Sequence, residues 1–449
     1  MENAVVKKSD NTEKQLKKNR FAYIIEAALE YFIDILIKGT FLTAILINIG
    51  VSDSVAGIIT SLASLGFVAQ FFSVLFINPK GHVKRMCTVM HFINQLMFVV
   101  LYLIPYISVP TYVKVAVFAV MYLGGNLLHY TAFPFKLDWM MSYVDDDKRG
   151  DFTANKEIVS LLGGMAFSFL MGCMIDHFKA IGNEEVGFIL SGITIFVLCL
   201  LHLVSLVIIK DPENYNKADY NKVEKRSIKS IFKITILDKK MNKVILLDVI
   251  WHIATGVSTA YFATYAQRSM GLAIVTITVI TAMQSFVRVL VSKFFGRMAD
   301  KYSWAKMLQV SFLIGALSFL IYAFATPENC FTLSVFGMNI KLNAFHIGYY
   351  ILHGIYCAGS NSGIMNITFD YVKHEDRRYA LGIKSAIGGV AAFIATTATA
   401  PFVSMVQANG NKLFGFNVYA QQVLAFTSAV IFILLVVYIR KVILKLKKN

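Results

Sequence analysis

FAYIIEAALEYFIDILIKGTFLTAILIN, residues 21–48, is apolar enough to enter a bilayer yet carries Glu26, Glu30, Asp34 and Lys38 at four-residue intervals. On a helix that spacing puts all four on one slowly drifting stripe. A charge at the bilayer centre costs at least ~2.5–3.5 kcal/mol, so four facing lipid would cost on the order of 10 kcal/mol if the values added. The stripe is therefore expected to face other helices or water held between them. Ionisable groups in that position mark an ion or substrate route. Asp34 lies about thirteen residues into the segment, or ~20 Å at 1.5 Å per residue, near the bilayer midplane.

The pattern extends along the chain. The 449 residues are 57% hydrophobic and 16% charged, against about 25% charged in soluble domains. The apolar residues fall in blocks long enough to cross ~30 Å of hydrocarbon as helices. Twelve are expected, near 21–48, 55–77, 86–107, 112–134, 157–178, 186–209, 243–267, 272–294, 305–325, 344–366, 382–407 and 416–439. The net charge of +16 is a topology signal rather than a nucleic-acid one. With the N-terminal tail taken as cytoplasmic, 37 of the 43 Lys and Arg fall in the tails and in alternate loops on the same side. That bias places both termini in the cytoplasm and argues against nucleic acid as a partner. The basic excess adds attraction for anionic lipid. The polar start MENAVVKKSDNTEKQLKKNR and the length of the first apolar block are not those of a cleavable signal peptide. The five cysteines form no CxxC pair, and no HExxH pattern exists, so neither a disulfide framework nor a metal is expected. The Lys-rich chain without an elaborated outside loop points to a bacterial cytoplasmic membrane.

The blocks divide six and six around residues 210–242, KDPENYNKADYNKVEKRSIKSIFKITILDKKMN. Within that linker, Ile228, Ile231, Phe232 and Ile236 with interleaved Lys form either a short amphipathic surface helix or part of a solvated connection. The expected organisation is a cytoplasmic tail over 1–20, a six-helix bundle over 21–209, the linker over 210–242, a second bundle over 243–441 and a basic tail over 442–449. The halves repeat. Tyr143-Val144, Arg149 and Lys156 match Tyr371-Val372, Arg377 and Lys384, and each set runs into Gly-Gly, at Gly163-Gly164 and Gly388-Gly389. PKGHVKRM before the third block registers with DKYSWAKM before the ninth. With the first block laid over the seventh, Glu26 aligns with Asp248 and Glu30 with His252. Six spans per half give both halves one orientation, a parallel repeat about an axis along the membrane normal.

These features resemble the major facilitator superfamily. The segment Gly296-Arg-Met-Ala-Asp300-Lys301-Tyr-Ser-Trp-Ala-Lys306 is similar to that family's G-x-x-x-D-[RK]-x-G-x-[RK]-[RK] loop, with Ser303 replacing its second Gly. The first-half copy has Pro79 in place of the Asp and keeps Lys80, Lys84 and Arg85. The resemblance implies an all-α membrane protein of twelve transmembrane helices in two pseudo-symmetric six-helix bundles around a central cavity, working as a monomer without enzymatic activity. It also implies a conformational gate at the cytoplasmic rim built from Gly296, Asp300, Lys301 and Lys306, with Arg149 and Arg377 in the repeated loops. The proline-containing fifth span and the fourth-span Arg common in the family's drug antiporters are absent.

In that family the first, fourth, seventh and tenth spans line the cavity, and here they concentrate the polar groups. The coupling candidates are Glu26, Glu30, Asp34, Lys38, Asp248 and His252; a static carboxylate–lysine network is the alternative. The binding candidates are Asn126, His129, Tyr130, Trp251, Tyr261, Tyr349, Tyr350, His353 and Asn361. Histidine relays protons near neutrality, and aromatic rings stack on sugar rings, although helix packing is their commoner use. The expected function is secondary active transport of a small polar solute, sugar- or glycoside-like, coupled to protons or alternatively sodium and using no cofactor. Efflux of drugs or metabolites, or a non-transporting receptor, are the competing readings. No ATP-binding loop or nucleophile elbow appears.

Overall fold

The structure is a computed structural model and describes residues 2–77, 82–145, 148–210, 227–335, 338–373 and 376–446. Sixteen helices carry the described chain. The first half comprises α1 (Glu2–Leu36), α2 (Gly39–Ile49), α3 (Asp53–Ser61), α4 (Gly66–Phe76), α5 (Val83–Leu103), α6 (Thr111–Met141), α7 (Arg149–Ala180) and α8 (Glu184–Ile208). A short α9 (Ile228–Ile234) follows. The second half comprises α10 (Lys239–Gly256), α11 (Phe262–Thr264), α12 (Ile274–Lys301), α13 (Trp304–Tyr322), α14 (Ala344–Asn366), α15 (Arg377–Ala408) and α16 (Ala420–Lys441).

The helix pairings repeat in order, which is the duplication made visible. In the first half α1 packs on α7 and α8, α5 on α6 and α8, and α4 on α6. In the second half α10 packs on α15 and α16, α13 on α14 and α16, and α12 on α14. The halves meet along two seams, α4 against α15 and α7 against α12. The architecture is the expected one, twelve membrane helices in two pseudo-symmetric bundles. Eleven helical segments among the described residues are long and apolar enough to cross a bilayer. The remaining span is α14, AFHIGYYILHGIYCAGSNSGIMN, long enough at 23 residues but interrupted by His, Tyr, Ser and Asn.

Five details depart from the sequence expectation. The first block is not one helix: α1 ends at Leu36, and α2 begins at Gly39, whose φ of +51° is left-handed and suits glycine. The seventh block breaks at the equivalent place, where α10 ends at Gly256 and irregular turns lead to α11. The fourth block does not stop at Pro134; α6 continues through it to Met141. The region between α13 and α14 is also not a plain loop. It carries an antiparallel hairpin of β1 (Cys330–Val335) and β2 (Met338–Asn343), while β3 (Lys412–Leu413) and β4 (Phe416–Asn417) close the turn before α16. The linker helix exists as α9, but it does not simply lie on the surface. Ile231 is fully buried against Phe71, Tyr379, Ile383 and Ala386, so it bridges the two halves. The rest of the linker, residues 211–226, lies outside the described residues.

Both repeated Gly-Gly pairs sit where helices approach closely. A Cβ on Gly163 or Gly164 would meet the rings of Phe32 or Tyr31. One on Gly388 would meet Asp248 and His252, and one on Gly389 would lie 2.3 Å from the Ser64 carbonyl oxygen. Backbone cannot give way as a side chain can. Gly389→Ala is therefore expected to destabilise by about 1–3 kcal/mol through overpacking at the α4–α15 seam. Gly296→Ala, with nothing within 4 Å of the added carbon, is expected to be neutral or to stabilise by roughly 0.5–1 kcal/mol. Thermal unfolding of the purified variants in detergent checks both signs.

Candidate functional site

Two features are built at the heart of the molecule, a cavity between the halves and an ionisable cluster inside the first half. We call the end that carries α1's start, α9 and α16's end the terminal face.

The cavity measures about 350 Å³, within the range that encloses small ligands. Its wall from the first half includes Tyr31, Ile35, Lys38, Gly39, Thr40, Phe41 and Ser168. From the second half come Thr259, Phe262, Thr281, Gln284, Ser285, Tyr349, Tyr350 and His353. Both helix breaks therefore line the same space. Irregular backbone at membrane depth is tolerated where it faces protein or a water-filled cavity, because its freed N–H and C=O groups need partners. Lys38, on the cavity wall, donates to Asp34 Oδ2 at 2.6 Å, and the two side chains are 43% and 28% exposed. Gln284 Nε2 donates to His353 Nδ1 at 2.9 Å, orienting that ring.

The cluster lies one turn below Asp34 on α1, towards the terminal face. Lys136 on α6 is buried, and its ammonium donates to Glu26 Oε1 at 2.8 Å and also to Glu30 Oε2. His202 on α8 contacts Glu26 Oε1 through Nε2 at 2.9 Å, while Gln95 Nε2 donates to its Nδ1 at 3.0 Å. As placed, that leaves Nε2–H as the donor to Glu26. On its other side, Glu30 Oε1 faces His91 Nδ1 at 3.3 Å and His129 Nδ1 at 3.5 Å. Glu26 is fully buried, whereas Glu30 and His129 keep 17% and 15% of their side chains exposed. Along the stripe, Glu26, nearest the terminal face, is sealed with a helix lysine, whereas the deeper Asp34–Lys38 pair is partly exposed.

The second half holds a smaller counterpart. Asp248, aligned with Glu26, is buried with its Oδ1 3.4 Å from Lys384 Nζ and its Oδ2 3.3 Å from His252 Nδ1. Lys384 also donates to the Ile364 carbonyl at 2.5 Å. Lys136 and Lys384, both counted above among same-side loop charges, are therefore internal ion-pair partners rather than part of the topology signal.

The remaining binding candidates divide. Tyr349, Tyr350 and His353 line the cavity. Trp251 donates to the Tyr356 hydroxyl and stacks edge-on with His252. Tyr130 packs on Phe67 and His129. Asn126 is spent on its own helix, donating to the Tyr122 carbonyl at 2.8 Å. Tyr261 is fully buried, its hydroxyl donating to the Thr396 carbonyl at 2.6 Å. Asn361 is exposed and is not part of the cavity wall.

The candidate gate is not engaged in this conformation. Asp300, Lys301 and Lys306 are exposed, and Asp300 makes no ion pair among the described residues. Lys301 sits over the Tyr302 ring and Lys306 donates to Gln309. Arg377 stacks on Phe369. The side chain of Arg149, with Pro79 and Lys80 of the first-half loop, lies outside the described residues. Every hydrogen bond between the halves, among the described residues, lies at the opposite end. Arg268 donates to Asp53 (2.7 Å), Gln407 to Asp53 (2.8 Å), Ser404 to Ser54 (2.7 Å) and Gln267 to the Thr40 carbonyl (2.9 Å). The Ile274 and Val275 amides at the start of α12 donate to Asp176.

Sequence reasoning missed Lys136, His91 and His202. Lys136 was hidden by Pro134, which reads as a helix end. His91 and His202 sit on the third and sixth spans, away from the four cavity-lining ones. A Lys two residues beyond a proline but before the next polar run was the one available signal.

A Major Facilitator Superfamily model matches residues 24–348. No curated protein sequence matches the chain. Among solved structures, the nucleoside transporter NupG superposes with a TM-score of 0.66 at 13% identity, covering 96% of this chain and 100% of that one. The D-xylose–proton symporter gives 0.64 at 13%, covering 92% and 96%. A bacterial homologue of the iron transporter ferroportin in its inward-facing state gives 0.62 at 15%, covering 94% and 98%. Such low identities show the fold alone.

Removing one member of a buried ion cluster leaves uncompensated charge. Lys136→Met is expected to destabilise by about 3–5 kcal/mol, and Lys38→Met, at the wet pair, by about 0–1 kcal/mol. Thermal unfolding in detergent, run side by side, checks the ranking; equal losses would refute it.

Proposed function

The chain belongs to the Major Facilitator Superfamily, a family of membrane transporters, and on that premise we propose that it moves a small polar solute by alternating access coupled to protons, with Glu30 as the coupling carboxylate. One observation carries this reading. Lys38 lines the solute-sized cavity and pairs with Asp34, which stands one turn along α1 from a cluster in which Glu30 and His129 are partly exposed. A proton can reach Glu30 through the His129 imidazole, a group suited to exchange near neutrality. Protonating Glu30 removes one of the two carboxylates that hold the Lys136 ammonium. The cluster's charge then changes by one unit, and with it the electrostatic balance between the two open states.

The solute class follows from the wall. Tyr31, Tyr349 and Tyr350 offer ring faces, and Gln284, His353, Thr281 and Ser285 offer hydrogen-bonding groups. A hydroxylated ring compound uses both, which favours a sugar- or nucleoside-like solute over a lipophilic drug. With the basic bias placing the terminal face in the cytoplasm, the ties at the opposite end correspond to an inward-facing state.

Two measurements test this. Proteoliposomes are given a pH gradient and a panel of labelled sugars and nucleosides. Glu30→Gln is expected to lose gradient-driven accumulation while retaining solute counterflow; accumulation at the wild-type rate would remove Glu30 from the coupling role. Asp53→Ala is expected to loosen the opposite end, so that a cysteine at Ser404 reacts several-fold faster with an impermeant maleimide, above the native background, than in the parent. An unchanged rate would mean that Asp53 does not hold this state.

A further inference from the structure

The cluster holds an imidazole for which coupling has no use. His91 on α5 is fully buried, and neither ring nitrogen has a hydrogen-bond partner. A buried polar group left so costs about 1–3 kcal/mol, and here it is aimed at something: Nδ1 lies 3.3 Å from Glu30 Oε1. That oxygen is itself without a hydrogen bond. His129 Nδ1 approaches the same oxygen at 3.5 Å. One donor atom from each of Glu30, His91 and His129 lies within 4.8 Å of the other two.

From these distances we infer that Glu30, His91 and His129 form a binding site for a divalent transition-metal ion of the zinc type. Tetrahedral ligands at about 2.0–2.1 Å from a zinc ion stand roughly 3.3–3.4 Å apart, close to the two carboxylate–imidazole separations of 3.3 and 3.5 Å, with all three donor atoms within 4.8 Å of one another. Two imidazoles and a carboxylate are the donors such ions select. A metal supplies His91 with the partner it lacks. The fourth position opens towards the wet side, where Glu30 and His129 are partly exposed. The neighbouring set of Glu26, Glu30 and His202 is also close-packed, but there Glu26 Oε1 already accepts from Lys136 and His202. The ammonium occupies Glu30 Oε2, which leaves Oε1 to the metal. The three ligands come from α1, α5 and α6, so no short-range spacing in the sequence announces the site. Its existence goes beyond the transport reading: the site stands whether or not Glu30 is the coupling carboxylate, the ion binding the deprotonated side chain. Where Glu30 does so, the bound metal occupies the carboxylate and blocks accumulation.

Purified full-length protein in detergent is titrated with Co²⁺ and followed by visible absorption. The expected result is one equivalent of Co²⁺ with the intense bands of a tetrahedral site, displaced by Zn²⁺. His91→Ala and His129→Ala are each expected to weaken binding about tenfold or more. His177→Ala, at the far end of α7, is expected to bind as the parent does. His129 lies on the open side, so its variant carries the test should the buried His91 variant fail to fold. Absence of tetrahedral bands, bands undiminished in His129→Ala, or equal loss in His177→Ala would each overturn the site. Uptake measured with and without Zn²⁺ is a separate readout, so failure of metal binding and failure of the coupling role are distinguishable.

Discussion

One ammonium group organises the first half of this molecule. Lys136 is buried within a helix bundle and sits between Glu26 and Glu30. A lone ammonium or a lone carboxylate there would carry a desolvation cost of several kcal/mol, and the two carboxylates together would repel. The triad resolves both problems at once, and His202, held by Gln95 behind it, adds a second contact to Glu26 Oε1. This arrangement fixes the relative placement of α1, α6 and α8. It also leaves one oxygen of Glu30 facing two imidazoles. The chemistry proposed for the protein follows from that remainder.

The second constraint is the pair of broken helices. Each half interrupts its first span at the equivalent depth, and both interruptions open on one cavity. Continuous helices would satisfy their own backbone and present only side chains. The breaks free backbone groups and turn the chain so that α2 and α11 lie beside each other. The seam glycines then permit the halves to meet closely along α4–α15 and α7–α12. The polar ties between halves gather at the face opposite the termini, while at the terminal face the linker helix contributes an apolar contact through Ile231.

The architecture was legible because it follows from short-range information. Span length against bilayer thickness, charge asymmetry between loops and a repeat of motifs with even span number need no tertiary contact. The Glu26–Asp248 alignment correctly pointed to a pattern shared by both halves, since each carboxylate is buried beside a lysine and a histidine. The candidate site was legible only in part. Lys38, Tyr349, Tyr350 and His353 line the cavity as the polar content of those spans suggested, whereas Glu26, Glu30 and His129 gather in the cluster inside the first half. Asn126 and Tyr261 turned out to serve backbone carbonyls, because a polar side chain on a membrane helix meets the same need whether it faces a cavity or its own turn.

By itself, then, the sequence determined the membrane class, the twelve-span duplicated plan and the presence of an ionisable stripe that had to face inward, since each is a statement about transfer from water to hydrocarbon. Tertiary structure alone decided which cation neutralises the stripe, which carboxylate is sealed and which stays wet, and which imidazoles gather on Glu30. Those outcomes depend on residues drawn from α1, α5, α6 and α8, up to 176 positions apart in the chain. Only the packing of four helices around one low-dielectric volume brings them within reach of one another.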